Sequence, residues 1–244
     1  MSSIIDKNVS PTDIYKEYDK SIFIWLDILG FSIALDDESR YEDLSNHLES
    51  YQSLFNESSD YETNIISDGI ILRITNPQYF GYERFKRILE NIGEKQYQFI
   101  CETKEFIRGG IAVGSKLENN PGRSNQYVSN GLARAVKIES SHVNWPIIGT
   151  NEKNISEIRE LFNIDDKEEN FCFFRGFNKN GEDIYFIDFI KENGICDLII
   201  SKINENEGNP GIRNKYIWLF RYYLHKYGDR GKVIIPLSLL EVVL

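Results

Sequence analysis

Two aspartates are the residues of this sequence most suited to chemistry. Asp27 follows five consecutive apolar residues, 22–26, which have the length and composition of a buried strand. A buried carboxylate is costly unless it is paired, hydrogen-bonded or bound to a metal. Asp27 therefore requires a partner, and an aspartate that only caps a turn is the structural alternative.

The residues directly after Asp27 predict a tight turn. Gly30 permits backbone conformations that other residues avoid, and Ser32 can cap a helix that begins there. A carboxylate beside the backbone of such a turn is a suitable place for a divalent metal together with phosphate groups.

Asp68 lies in the segment Ser67-Asp68-Gly69, between the short apolar runs 64–66 and 70–74. This pattern predicts a β-hairpin with its turn at Asp-Gly. An aspartate in a turn needs no function, so Asp68 is informative only together with Asp27. If the two strands are neighbours in one sheet, both carboxylates can lie at the same rim.

Composition excludes several classes of protein. The 244 residues carry a net charge of −10, which disfavours nucleic-acid binding. No apolar run is long enough to cross a membrane, and the N-terminus lacks the apolar core of a signal peptide. The three cysteines and three histidines show no metal-binding spacing, so we expect a cytoplasmic protein with reduced thiols.

Hydrophobic periodicity predicts an α+β fold, in which a sheet carries helices on one face. The predicted strands and hairpins lie at 22–26, 64–74, 106–114, 146–150 and 171–190, and the predicted helices at 32–55, 79–101, 131–139, 152–162 and 216–227. We expect a polar leader at 1–20, before the first strand.

Four segments, in this order, resemble the catalytic domain of class III nucleotidyl cyclases. They are Asp27-Ile28-Leu29-Gly30-Phe31-Ser32, then Ser67-Asp68, the strand 108–114, and the segment 131–139. The first is the most specific, since the family's metal site has an Asp-Ile-x-Gly-Phe-Ser/Thr pattern. The resemblance implies a ferredoxin-like sheet in a catalytic domain at about 21–190, with a helical extension at 191–244 that packs on it.

The resemblance also implies a site and its ligands. Two divalent ions, Mg²⁺ or Mn²⁺, are expected on Asp27, Asp68 and the Ile28 carbonyl, and a nucleoside triphosphate on the turn formed by Leu29, Gly30, Phe31 and Ser32. The family works as a homodimer whose active sites lie between the subunits. No nucleic-acid or membrane partner is expected.

Other positions depart from the purine-specific members of the family. The pair that recognises the purine falls by position on Asn64 and Gln126, which are neutral amides. The Asn and Arg that act in the transition state fall on Ala133 and Lys137, so only a positive charge is kept. A solvated helix face is the alternative for Lys137.

The whole chain is most similar to the pyrimidine cyclases of the Pycsar antiphage system, including the tail Lys215-Tyr216-Ile217-Trp218-Leu219. Those enzymes convert UTP or CTP to the cyclic monophosphate, which activates a separate effector. The expected function is therefore a metal-dependent uridylate or cytidylate cyclase. An adenylyl cyclase with divergent base recognition and a non-catalytic cyclase-like domain are the alternatives.

Overall fold

The computed structural model describes residues 20–56, 58–115, 129–165, 172–191 and 193–227. These ranges contain a seven-stranded sheet with the order β2-β3-β1-β4-β5-β7-β6. The strands are β1 (Lys20–Ile28), β2 (Glu62–Ile66), β3 (Gly69–Thr75), β4 (Ile107–Ser115), β5 (Ile148–Asn151), β6 (Phe174–Phe177) and β7 (Asp183–Phe186).

The first four strands form a ferredoxin-like βαββαβ unit, as predicted. β1 lies between β3 and β4 and is antiparallel to both, while β2 pairs with β3 at the edge. The connections are the helices α1 (Phe31–Ala34), α2 (Tyr41–Asn56) and α3 (Tyr82–Thr103). The α+β class is confirmed, and β5, β7 and β6 extend the same sheet beyond β4.

Helices cover both faces of the sheet, so the prediction of helices on one face is wrong. Side chains alternate along β1, so that Ile24 and Leu26 join one core and Phe23 the other. The first core is covered by α2, α3 and α5 (Glu152–Phe162). The second core is covered by α4 (Asn130–Ser141), α6 (Cys196–Glu205) and α7 (Pro210–Tyr227).

Helix α4 approaches β4 and β1 unusually closely. A Cβ atom at Gly110 would lie 2.0 Å from the Ala135 carbonyl oxygen, and one at Gly131 would lie 2.1 Å from the Phe23 ring. Glycines on both the strand and the helix therefore allow backbone-to-backbone contact. This contact places the C-terminal half of α4 beside the end of β1.

The C-terminal helices are part of this second core. α7 begins at Pro210, six residues before the predicted start, and Tyr222 is buried against the Phe186 ring at 5.0 Å. Trp218 contacts Phe186 as well, so these aromatic residues pack within one chain. The location of α6 was not predicted from the sequence.

The first predicted helix, 32–55, is divided in the structure. The short α1 ends at Ala34, a 3₁₀ turn follows at Glu38–Arg40, and the long α2 then begins at Tyr41. None of the helices in the described ranges is long and apolar enough to span a membrane. The predicted leader and the last part of the extension, residues 228–244, lie almost entirely outside the described residues.

Candidate functional site

Asp27 lies one residue from the end of β1, where strand pairing gives it two defined neighbours. It is paired with Gly69 of β3 on one side and with Arg108 of β4 on the other. Paired residues of neighbouring strands lie side by side on one face of a sheet. The Asp27 carboxylate therefore lies next to the Arg108 guanidinium, with 3.5 Å between oxygen and nitrogen.

Asp68 comes from the two-residue turn between β2 and β3. The turn residues are Ser67 and Asp68, because Ile66 pairs with Gly69, which is already in β3. The prediction of a turn at Asp-Gly is therefore shifted by one residue, and Ser67 takes the positive φ of 57°. Gly69 is required in the strand instead, because a Cβ there would lie 2.0 Å from the Trp25 indole.

The turn after Asp27 differs in detail from the prediction. Gly30 adopts φ 83° and precedes α1, which has no side-chain cap, so Ser32 does not cap this helix. The Leu29 amide donates a hydrogen bond to the Phe106 carbonyl at 2.8 Å and is not available to a phosphate. Contacts of Gly30, Phe31 and Ser32 with a substrate stay a prediction.

A cleft of about 820 Å³ contains most of the predicted site residues. Asp27, Asp68 and the turn 28–32 all line it, as expected from the sequence. The C-terminal helices also line the cleft, through residues that include Lys202 and Lys215. The cleft thus combines Asp27 and Asp68 with several cations, and three further acids, Asp37, Glu105 and Glu205, also line it.

The Asp27 carboxyl is in an unfavourable environment for its charge. Burial raises its pKa from 3.8 to about 6 against the opposing effect of Arg108, and the charges of Asp68 and Glu139 raise it further. Asp68 thus adds a like charge to the environment of Asp27. Such a pair favours a bound cation between or beside its members.

Arg108 and Glu139 are site residues that sequence reasoning did not identify. The Arg108 guanidinium forms an ion pair with Glu139, a buried residue of α4, in addition to its contact with Asp27. Burial raises the pKa of Glu139, while Arg108 lowers it. Two signals in the sequence could have revealed them. Arg108 is a charged residue in a strand of apolar residues and glycines, and Glu139 stands beside Ile138 on the apolar face of α4.

The residues at this site fit a divalent metal with open coordination positions. No group of three or more His, Cys, Asp or Glu side chains in the described ranges is arranged to hold a metal. Two carboxylates and the Ile28 carbonyl would leave positions for water and phosphate oxygens, which is the usual form of Mg²⁺ sites.

Tyr51 is a buried polar residue whose environment the two carboxylates affect. Its side chain is fully buried, and the phenol oxygen has no hydrogen-bond partner among the described residues. Burial and the charges of Asp27 and Asp68 raise its pKa well above 10, so the phenol keeps its proton.

The structure does not bring the remaining predicted residues into the cleft. Lys137 is exposed on α4, as is Ala133. Asn64 is half-buried on β2, paired with Ile71, and does not line the cleft. Gln126 lies outside the described residues. The roles predicted for these residues stay predictions. A catalytic role of Lys137 would require that it reaches the cleft of a second subunit.

Comparisons with known proteins gave similarity at the level of structure only. No family model and no curated protein sequence matched the chain. The chain is similar to a solved structure of a bacterial light-regulated adenylyl cyclase, with a TM-score of 0.45 and 15% identity, covering 76% of this chain and 98% of that one. It is also similar to a second such structure, with a TM-score of 0.48 and 14% identity, covering 81% of this chain and 57% of the other.

The raised pKa of Asp27 predicts a stabilising substitution. Because the folded protein binds this proton more tightly than the unfolded chain does, the stability contributed by protonation is lost as the pH rises through about 6. Without divalent ions, Asp27→Asn should therefore gain stability over wild type between about pH 4 and 7. A pKa difference of two units corresponds to a gain of at most about 3 kcal/mol.

Urea unfolding of both proteins in EDTA across this pH range measures the difference. Asp37→Asn is the matched control, because hydrogen bonds from Ser39 lower the pKa of Asp37. Its stability relative to wild type should not rise with pH. A constant difference between Asp27→Asn and wild type would contradict the description of the Asp27 environment.

Proposed function

We propose that this protein is a metal-dependent nucleotidyl cyclase. The observation that carries the proposal is the convergence of Asp27 and Asp68 beside the turn 28–32, in a cleft large enough for a nucleotide. The order and spacing of these segments, which resemble the class III cyclase pattern, support the same reaction.

The reaction is an internal phosphoryl transfer. The ribose 3′-hydroxyl attacks the α-phosphorus of a nucleoside triphosphate, its proton is released, and the bond to the pyrophosphate leaving group breaks. Two Mg²⁺ or Mn²⁺ ions, when bound, would lower the pKa of the hydroxyl and offset the charge of the phosphates. Catalysis by the protein then depends mainly on positioning and electrostatics.

Arg108 and Glu139 keep Asp27 available for this role. Arg108 is held by Glu139, and its contact with Asp27 is long, at 3.5 Å. The guanidinium thus reduces the repulsion between Asp27 and Asp68 without occupying the carboxylate with short hydrogen bonds. Asp27 keeps oxygen lone pairs for a metal ion.

We further propose that the active enzyme is a homodimer. Lys137 is exposed and lies outside the cleft of its own chain. A catalytic role for Lys137 therefore requires that it enters the cleft of a second subunit, as in the two-chain sites that the family resemblance implies.

The proposed substrate is a pyrimidine triphosphate, UTP or CTP. Asn64 and Gln126, at the positions that recognise purines in related families, are neutral amides that can both donate and accept hydrogen bonds. An amide can match either uracil or cytosine by reorienting. The resemblance to the Pycsar cyclases supports this choice. We propose that the cyclic product is a second messenger for a separate antiphage effector, as it is for those enzymes.

Asp27→Asn and Asp68→Asn are each expected to abolish turnover while the protein stays folded. Each substitution removes one charge from the shared metal site, which should lower kcat by at least about a hundredfold. Cyclic nucleotide formation by the purified variants measures the loss, and circular dichroism checks the fold. Asp37→Asn, at the rim of the same cleft, should keep activity, because its side chain caps a 3₁₀ turn. Near-normal activity of either site variant would exclude the proposed metal site.

A competition assay tests the substrate. Equal concentrations of ATP, GTP, CTP and UTP are incubated with the enzyme and Mn²⁺ or Mg²⁺, and the products are separated by chromatography. Cyclic UMP or cyclic CMP should dominate by about tenfold or more, since an amide left unpaired by the wrong base costs about 1–3 kcal/mol. Dominant cyclic AMP or cyclic GMP would replace the pyrimidine assignment with a purine cyclase, and no product would favour the non-catalytic alternative.

Mixing two inactive variants tests the shared site. Asp27→Asn and Lys137→Met subunits, each inactive alone, should regain up to about a quarter of wild-type activity when combined, because random pairing assembles one intact site in some dimers. Activity is measured after subunit exchange, with light scattering to confirm the dimer. An active monomer would contradict the two-chain site.

A further inference from the structure

The start of α7 forms part of the wall of the cleft, although it lies outside the βαββαβ unit. Lys215, in the second turn of this helix, lines the cleft together with Asp27 and Asp68. Its side chain is half-buried. The C-terminal helices therefore contribute a positive charge to the same space as the two carboxylates.

The position of Lys215 is fixed by its neighbour in the sequence. Tyr216 is buried and packs edge-on against the Phe106 ring, with 5.4 Å between the ring centroids. The Phe106 carbonyl accepts the hydrogen bond of the Leu29 amide at 2.8 Å. Lys215 is thus held relative to the turn that follows Asp27, through two consecutive contacts.

The other cations of the cleft already have acidic partners. Lys202 and Arg40 both contact Glu105, with nitrogen–oxygen distances of 3.4 and 3.5 Å. Arg108 is paired with Glu139 and Asp27. Lys215, by contrast, makes no ion pair within the described part of the chain.

The environment of Lys215 is unfavourable for an isolated charge. Burial and the neighbouring Arg108 guanidinium lower its pKa, and the carboxylate of Glu139 only partly opposes this effect. A partly desolvated cation without a close partner destabilises the folded protein. Such a group suits the binding of an anion that enters the cleft.

We propose that Lys215 binds the phosphate groups of the substrate in this cleft, so that α7 supplies a phosphate-binding residue from the same chain as Asp27. This assignment rests on the proposed cyclase function. Phosphates are chosen over the base because they carry the negative charge that would pair with Lys215. Asp27 and Asp68, which line the same cleft, would hold metal-bound phosphates there. An ammonium is a strong, compact partner for phosphate oxygens.

Binding of inorganic tripolyphosphate with Mg²⁺, measured by calorimetry, tests this role without a base or a reaction. Lys215→Met keeps most of the side-chain stem and removes the charge. It should weaken tripolyphosphate binding by about tenfold or more, as expected for a lost charge-assisted hydrogen bond. Lys215→Arg should bind within about threefold of wild type.

Lys202→Met is the matched control. Lys202 lines the same cleft, but its charge is already paired with Glu105. When the Lys202 charge is removed, Glu105 still has Arg40 as a partner. This variant should bind tripolyphosphate within about twofold of wild type. In turnover assays, Lys215→Met should raise KM for the triphosphate by about tenfold with a smaller change in kcat, because the contact exists before the transition state.

The outcomes separate this inference from the cyclase proposal. If wild type forms no cyclic product but Lys215→Met still weakens tripolyphosphate binding, the cyclase proposal fails and the phosphate contact stands. Unchanged tripolyphosphate binding in Lys215→Met, or no binding by wild type, overturns the role of Lys215 whatever the turnover. A change only in the ratio of UTP to CTP turnover would also overturn it, because it would place Lys215 at the base. Thermal unfolding confirms that Lys215→Met is folded, and Lys215→Gln replaces it if it is not.

Discussion

The partly buried carboxylate of Asp27, near the end of a central strand, is the constraint on which the rest of the site depends. Burial and two neighbouring acids raise its pKa to about 6, so its charge weakens the fold at neutral pH. The offsetting partner is Arg108, the residue directly across from it on β4. Groups with strongly shifted pKa values cluster at functional sites, although structural ion pairs shift pKa values as well.

The surrounding architecture holds this arrangement in place. Arg108 is fixed by Glu139, and Glu139 reaches it only because α4 contacts the sheet at backbone distance through Gly110 and Gly131. A larger side chain at either glycine would move the helix outward and separate the ion pair. The packing of one helix against the sheet therefore controls the electrostatics at the end of β1.

The C-terminal helices also line the cleft. Their aromatic residues pack into the second core of the sheet, and the Tyr216–Phe106 contact ties α7 to the turn after Asp27. The helices that extend beyond the βαββαβ unit are thus structural and also line the site. This dual role connects the stability of the extension with the geometry around Asp27 and Asp68.

The sequence by itself determined the strand before Asp27, the hairpin that carries Asp68, and the α+β class, because these features follow from local apolar runs and turn residues. It did not reveal the roles of Arg108 and Glu139. Arg108 contacts Asp27, which is 81 residues away in the sequence, and Glu139 pairs with Arg108 from a helix. It also shifted the hairpin turn by one residue, since Gly69 is required by a ring from another strand. Only the tertiary structure decided these points and the position of Lys215. Side-chain partners across a sheet and between helices depend on strand register and packing, and a pattern along the sequence does not record either.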